Sequence, residues 1–158
     1  QGAFGLAQNL GISRTEAKEI IDSYFKQFST LKNFQADQIE NAKKRGFVET
    51  ILKRKRSLPD INSANAIVRG FAERNAINAP IQGSAADIIK LAMVRAHGLL
   101  PKESKLILTV HDELVTLCPD HLVKETEDAI RTAMEGIDIL NVPLIADITT
   151  VQRWGEAK

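Results

Sequence analysis

Three ionisable side chains stand together in the stretch LTVHDELVTL, which runs from Leu108 to Leu117. The residues on either side of His111, Asp112 and Glu113 are apolar and predict buried strands. A carboxylate buried without a partner loses its hydration, and its pKa rises until the group is neutral. The pattern therefore predicts a turn at His111-Asp112 and a positively charged partner for the acids.

The adjacent carboxylates of Asp112 and Glu113 suit a hard divalent cation. Mg²⁺ takes oxygen ligands and commonly uses one or two protein carboxylates together with substrate phosphates. Such a site serves phosphoryl or nucleotidyl transfer, in which two metal ions contact the attacking and leaving oxygens. The alternative is a solvent-exposed acidic hairpin turn without a ligand, because Asp is a common turn residue. Spacing alone favours this alternative.

Arg74, Asn78 and Gln82 are spaced by four residues, so on one continuous helix they would form a polar stripe. These are side-chain types that reach phosphates and base edges, and in the minor groove they can test base pairing in any sequence. Pro80 predicts an interruption, in which case Gln82 begins a new element. The pattern alone favours a hydrated helix face with no partner.

Basic residues are concentrated in two short stretches of the first half of the chain. They are Lys43, Lys44, Arg45, Lys53, Arg54, Lys55 and Arg56. A hairpin that folds back between them would bring these cations into one region, as contact with a phosphate backbone requires. A solvated charged loop is the alternative, and the pattern alone favours it.

The elements that position these residues follow from periodicity and capping signals. Ser13 and Glu16 match a capping box at the start of a helix. The predicted helices cover residues 14–28, about 31–45 with Gly46 beyond the end, 63–79, about 84–99 and 119–136. Residues 47–59 predict a short exposed hairpin or loop. The predicted strands are two at 105–110 and 113–118 and a last one at 142–151. This order predicts an α+β fold with helices packed on a small antiparallel sheet.

The 158 residues are enough for one domain with a sizeable core, and 44% hydrophobic with 26% charged residues is ordinary for a globular protein. The formal net charge of +1 favours no particular partner. No apolar run approaches the roughly 20 residues of a membrane span. The single Cys118 excludes an internal disulfide, predicts no disulfide-linked partner and suits a reducing cytoplasm. The opening QGAFGLAQNLGIS begins in mid-pattern and indicates a piece of a longer protein.

Four stretches together resemble the bacterial family A DNA polymerases, the DNA polymerase I family, most of all those of the Bacteroides group. They are AFGLAQNLGIS, GFVET with KRKRSLPDI, RGFAERNAINAPIQGSAADIIK and LTVHDEL, and they occur in the family's order. The resemblance implies the C-terminal part of the polymerase domain. Residues 1–80 would be the end of the fingers helix, a helical segment and the basic hairpin. Residues 81–158 would be the palm portion with the VHDE hairpin and the C-terminal strand.

The resemblance also implies a role for each of the singled-out residues. Asp112 would be the palm aspartate that binds the two catalytic Mg²⁺ ions, and Glu113 its acidic neighbour. The residues expected to contact DNA are Arg54, Arg74, Asn78, Gln82 and His111, the last near the primer 3′ end. The implied partners are primer–template DNA and deoxynucleoside triphosphates, in a bacterial cytoplasm and associated with the nucleoid.

The chain departs from the family's pattern in three places. The fingers residues that hold the triphosphate and the other metal-binding aspartate do not occur in this sequence. We therefore expect the chain alone to be inactive in template-directed deoxynucleotidyl transfer; a non-catalytic duplex-DNA-binding module is the alternative. Lys53 stands where the family has Gly, and residues 149–154 replace a Gly-x-Gly-x-x-Trp ending, which puts the local turn geometry in doubt.

Overall fold

A computed structural model describes residues 2–157, which form five α-helices and two antiparallel hairpins. The helices are α1 (Ala3–Leu10), α2 (Arg14–Gln27), α3 (Ser29–Arg45), α4 (Ala66–Leu99) and α5 (Val123–Glu135). The strands are β1 (Phe47–Glu49), β2 (Lys55–Ser57), β3 (Lys105–Val110) and β4 (Glu113–Leu117). The predicted α+β class is confirmed, with two separate two-stranded sheets in these residues where one sheet was predicted.

The chain divides into two compact units. The first unit holds Gln1–Glu49 and Lys55–Ala79, and the second holds Thr50–Arg54 and Pro80–Lys158. The loop between β1 and β2 thus belongs to the second unit, together with the later part of α4.

Local capping sets the helix ends of the first unit. The backbone N–H of Glu16 donates to Ser13 Oγ at 3.1 Å, which confirms Ser13 as the N-cap of α2. Gly46 follows α3 with φ 76°, a left-handed conformation in which glycine is not strained. Both helix ends therefore lie where the sequence predicted them, within one residue.

The first unit has a small core of short and branched side chains. Its buried members are Ala42, Val48, Leu58, Ile61, Ala72 and Ala76, with Ile39 and Ala79 packed against them. Because these residues come from α3, β1, the segment after β2 and the first part of α4, the core holds β1 and the segment after β2 against two helices.

Helix α4 runs through Pro80 without a break, so the predicted interruption at this residue is wrong. A proline removes one backbone hydrogen bond, but its φ is compatible with a helix, and α4 has 34 residues to sustain it. The Ser84 hydroxyl donates to the Pro80 carbonyl at 2.5 Å in the next turn. Gln82 therefore does not begin a new element.

In the second unit, α5 packs on the end of α4 through Ala96, Ile130 and Ala133, which are buried. A hydrogen bond of 2.8 Å between the hydroxyls of Ser104 and Thr126 joins the segment before β3 to α5. Both hydroxyls are buried, so this bond satisfies two polar groups that have lost contact with water.

Residues 142–151 form no strand, and the prediction of a C-terminal strand is wrong. Arg131 Nη1 on α5 donates to the Ala146 carbonyl at 3.0 Å, and the Ala146 N–H donates to Glu135 Oε1 at 3.0 Å. The backbone N–H and carbonyl of Ala146, which a strand ladder would use, are here bonded to side chains of α5. The segment is thus held at Ala146 without regular secondary structure.

No helix within residues 2–157 combines the length and the apolar character needed to cross a membrane. Cys118 is a free cysteine, partly buried beyond the end of β4.

Candidate nucleic-acid and metal site

The acidic cluster lies at the connection between β3 and β4. Val110 pairs with Glu113 across the antiparallel ladder, so His111 and Asp112 form a two-residue hairpin turn. His111 has φ 54°, in the left-handed region that tight hairpin turns require. The predicted turn is confirmed, and it exposes the side chains of His111, Asp112 and Glu113 to solvent.

The prediction that the flanking strands are buried is wrong for this chain. Ile107 is 49% exposed, Leu108 46% and Leu117 62%. Within residues 2–157 the sheet consists of two strands only, so it has little to cover its apolar side chains. Exposed apolar residues on a sheet mark a surface that suits a further layer of protein.

The two carboxylates could supply part of the oxygen shell of a magnesium ion. Carboxylate oxygens are the ligands that Mg²⁺ prefers, and phosphate oxygens and water complete its shell. Within residues 2–157 no group of three or more His, Cys, Asp or Glu side chains is arranged to hold a metal ion. No Lys or Arg there forms an ion pair with Asp112 or Glu113. The positively charged partner predicted for these acids stays a prediction.

The polar residues of α4 are accessible along the helix. Arg74, Asn78 and Gln82 are all exposed, and the Arg74 guanidinium lies 5.9 Å from the centre of the Phe71 ring. Residues four apart on one helix share a face and are separated by about 6 Å of helix rise. Donors for phosphate or base edges are thus available at regular intervals on this helix.

One residue from each basic stretch lies against the ring of Phe47 on β1. Arg45 lies 4.3 Å and Lys55 4.7 Å from the centre of its ring. Four of the seven cations also pair with carboxylates: Lys43 with Glu73, Lys44 with Glu40, Arg45 with Glu49, and Arg54 with Asp87. Lys53, Lys55 and Arg56 have no acidic partner within residues 2–157 and are exposed. These three are the cations most available to an anionic ligand.

A buried carboxylate lies beside Arg54. Asp87 on α4 is 1% exposed, and its Oδ2 accepts a 2.5 Å hydrogen bond from the Thr50 hydroxyl. Arg54 Nη2 lies 2.6 Å from Asp87 Oδ1. The hydrogen bond from Thr50 holds the pKa of Asp87 below its ordinary value of 3.8, assisted by the charges of Arg54 and Lys90 and opposed by burial. Asp87 is therefore ionised at neutral pH.

Sequence reasoning proposed Arg54 as a DNA contact but missed Thr50 and Asp87. The sequence signal for a buried, partnered carboxylate was Asp87 itself, the one acid among mostly small and apolar residues in SAADIIKLA. Its partners could not be read from the pattern because Thr50 is 37 residues away along the chain.

The chain belongs to DNA polymerase family A, whose family model matches residues 1–156. Among curated proteins, it is 49% identical over 158 residues to DNA polymerase I of Streptococcus pneumoniae and 42% identical to that of Bacillus subtilis. Each match covers 98% of this chain and 18% of the relative, so the chain spans less than a fifth of their length.

Among solved structures, the chain is similar to the POL domain of Pol1 from M. smegmatis in complex with DNA primer-template and dNTP. The TM-score is 0.84 at 43% sequence identity, and the match covers 90% of this chain and 26% of that one. The fold of the chain is therefore that of a segment of this polymerase domain.

Proposed function

We propose that this chain is the C-terminal part of the polymerase domain of a DNA-directed DNA polymerase that acts in replication and repair. The reaction is template-directed transfer of a deoxynucleotide to a primer 3′-OH. The observation that carries the proposal is the exposed His111-Asp112-Glu113 turn, in a chain 43% identical to a domain solved with primer-template and dNTP. Residues 1–80 correspond in this proposal to the end of the fingers with the basic hairpin, and residues 81–158 to the palm.

Asp112 is the proposed metal ligand, with Glu113 as a second carboxylate beside it. Their exposure at a hairpin turn leaves the oxygens open to Mg²⁺ and to the phosphates of a nucleotide, as such sites require. When bound, Mg²⁺ neutralises phosphate charge and lowers the pKa of the attacking hydroxyl. His111 occupies the same turn and would lie against the primer terminus.

Arg74, Asn78 and Gln82 are the proposed contacts to the primer–template duplex. Their exposed donors match phosphate oxygens and the acceptors that every base pair presents in the minor groove. Contacts of this type hold the duplex without selecting a sequence, which suits a polymerase. Holding the primer end in position contributes to catalysis by orienting the attacking hydroxyl.

Primer extension tests the proposal. A complete polymerase that carries these residues should extend a primer with Mg²⁺ and four deoxynucleotides, and Asp112→Ala should abolish turnover while DNA affinity stays nearly unchanged. Asp138→Ala removes an exposed acid of the same unit and is the matched control. Normal turnover by Asp112→Ala would contradict the metal assignment.

The 158-residue chain alone should not extend primers, because the family's other metal-binding aspartate does not occur in it.

A second candidate function is binding of duplex DNA without catalysis. It is favoured by the exposed cations Lys53, Lys55 and Arg56, which lack acidic partners within residues 2–157. Fluorescence anisotropy of the chain with labelled duplex DNA, repeated at rising salt, tests it. Binding with a steep salt dependence would support it, because neutralised phosphates release counterions. No binding at low salt would contradict it.

A further inference from the structure

Asp87 and Arg54 form an ion pair between a buried and an exposed side chain. The carboxylate is 1% exposed, whereas the Arg54 side chain is 58% exposed. Ion pairs with one solvated partner add little stability, and burying a carboxylate costs free energy that an apolar side chain would avoid. The ion pair with Arg54 therefore gives no gain in stability over an apolar side chain at this position.

Hydrogen bonds hold the backbone of Arg54, and an ion pair of 2.6 Å without hydrogen-bond geometry holds its guanidinium. The Arg54 N–H donates to Thr50 Oγ1 at 3.2 Å, and the Arg54 carbonyl accepts from the Thr50 N–H at 3.0 Å. The Thr50 hydroxyl in turn donates to Asp87, which contacts the guanidinium. One threonine thus joins the backbone of Arg54 to the carboxylate that holds its side chain.

Most of the guanidinium remains available to a ligand. Arg54 Nη2 faces Asp87, and no other polar partner for the guanidinium occurs within residues 2–157. A planar guanidinium held in one orientation presents paired N–H groups, which match two oxygens of a phosphate. A freely rotating arginine would lose side-chain entropy on forming the same contact.

We propose that Thr50 and Asp87 are positioning residues that orient the Arg54 guanidinium to contact one phosphate of the DNA backbone. The inference rests on the proposed function, since it names one contact by which the polymerase holds its primer–template. It assigns no contact with DNA to Thr50 or Asp87 themselves.

The change in net charge and the loss of guanidinium orientation predict opposite effects of Asp87→Asn on DNA affinity. The substitution removes a negative charge, so net charge alone predicts tighter DNA binding. Loss of the orienting carboxylate predicts weaker binding. Asp138→Asn is the matched control, because it makes the same change in charge at an exposed acid that has no partner within residues 2–157. Thr50→Val removes the hydroxyl with no change in charge or shape, and Thr50→Ser keeps the hydroxyl.

The experiment is fluorescence anisotropy of a complete polymerase carrying this chain, with a labelled primer–template duplex at several salt concentrations. Arg54→Ala should weaken binding roughly tenfold for any sequence and lower the salt-dependence exponent by about 1. Asp87→Asn and Thr50→Val should each weaken binding about threefold to tenfold, the range of one ordinary hydrogen bond, because the guanidinium remains but is less well oriented. Thr50→Ser should restore binding, and Asp138→Asn should not weaken it.

A double-substitution test separates positioning from a general loss of structure. In an Arg54→Ala background, Asp87→Asn and Thr50→Val should have no further effect on affinity. Equal losses with and without Arg54, or binding by Thr50→Val as tight as that of the unsubstituted enzyme, would overturn the inference. If Asp87→Asn does not fold, as judged by circular dichroism, the Thr50→Val and Thr50→Ser pair decides the matter.

Failure of this inference is distinguishable from failure of the proposed function. Normal primer extension, with unchanged affinity in Thr50→Val, would overturn the positioning role and leave the polymerase assignment intact. An unsubstituted enzyme that neither binds nor extends a primer–template would overturn both.

Discussion

A Cβ atom on Gly83 would lie 2.5 Å from Cγ2 of Thr50. The loop Thr50–Arg54 therefore lies directly on this turn of α4, with no room for a side chain between them. The hydrogen bond of 2.9 Å from the Ile51 N–H to Ser84 Oγ holds the loop at the same turn. The close approach of the backbone of α4 is what allows Thr50 to reach Asp87 one turn further along.

Gly83→Ala should destabilise the protein by up to about 2 kcal/mol, because a gain in helix propensity of about 1 kcal/mol offsets part of an overpacking penalty of about 1–3 kcal/mol. Gly98→Ala is the matched control in the same helix, where an added Cβ meets no atom within 4 Å. It should raise the free energy of unfolding by about 0.5–1 kcal/mol. Urea unfolding of the chain measures both, and equal gains in the two variants would contradict the close approach.

Lys53→Gly should stabilise the protein by up to about 1 kcal/mol. Lys53 has φ 65°, a left-handed conformation that costs a residue with a side chain about 1–2 kcal/mol, whereas glycine adopts it freely. Greater freedom of glycine in the unfolded chain offsets part of the gain. Lys55→Gly is the control, because it removes the same charge from the extended strand β2. It should lower the free energy of unfolding, measured for both variants by urea unfolding. Destabilisation by Lys53→Gly would show that the turn does not have this conformation.

Acid should weaken the protein partly through Asp87. Because its pKa is lowered in the folded chain, the unfolded chain binds the proton at higher pH, and stability rises with pH across this range. Its contribution is fully present above the unfolded value of 3.8 and is lost as pH falls through the folded pKa. Asp87→Asn should therefore flatten the dependence of unfolding free energy on acidic pH, measured by urea unfolding. An unchanged acid slope, equal to that of the exposed control Asp138→Asn, would argue against this contribution.

Gln82→Ala should impair extension from a primer terminus without affecting the metal site. The exposed amide on α4 supplies donors for the minor groove, and its loss should slow extension roughly tenfold, the factor of one lost hydrogen bond to a base edge. Steady-state extension of matched and mismatched primers by the complete polymerase measures the effect, with its Mg²⁺ dependence as a second readout. Gln27→Ala, at an exposed glutamine at the end of α2, is the control. Unchanged extension from both kinds of end would count against a DNA contact.

The elements predicted correctly depend on interactions within one or two turns of the chain. The Ser13 cap acts on Glu16, and Gly46 ends the helix that immediately precedes it. The turn at His111-Asp112 is similarly determined by the two short strands beside it. Such signals lie within a short window of sequence, and the turn that carries the acidic residues was therefore predictable.

The errors concern contacts between distant parts of the chain. Residues 142–151 have apolar residues suited to a strand, but Arg131 and Glu135 on α5 take the backbone groups of Ala146. The partners of Asp87 are likewise remote in sequence. A proline usually interrupts a helix, but α4 continues on both sides of Pro80. Local patterns carry no information about which remote group will satisfy a given donor or acceptor.

The two-stranded sheet of β3 and β4 has a further consequence for handling the chain. Neither outer edge is paired with another strand within residues 2–157, and Leu108 and Leu117 are exposed beside them. An open edge with apolar neighbours recruits strands from other molecules when nothing covers it. We therefore expect the isolated chain to self-associate as its concentration rises. How long it stays monomeric in solution then depends on whether another protein segment covers those edges.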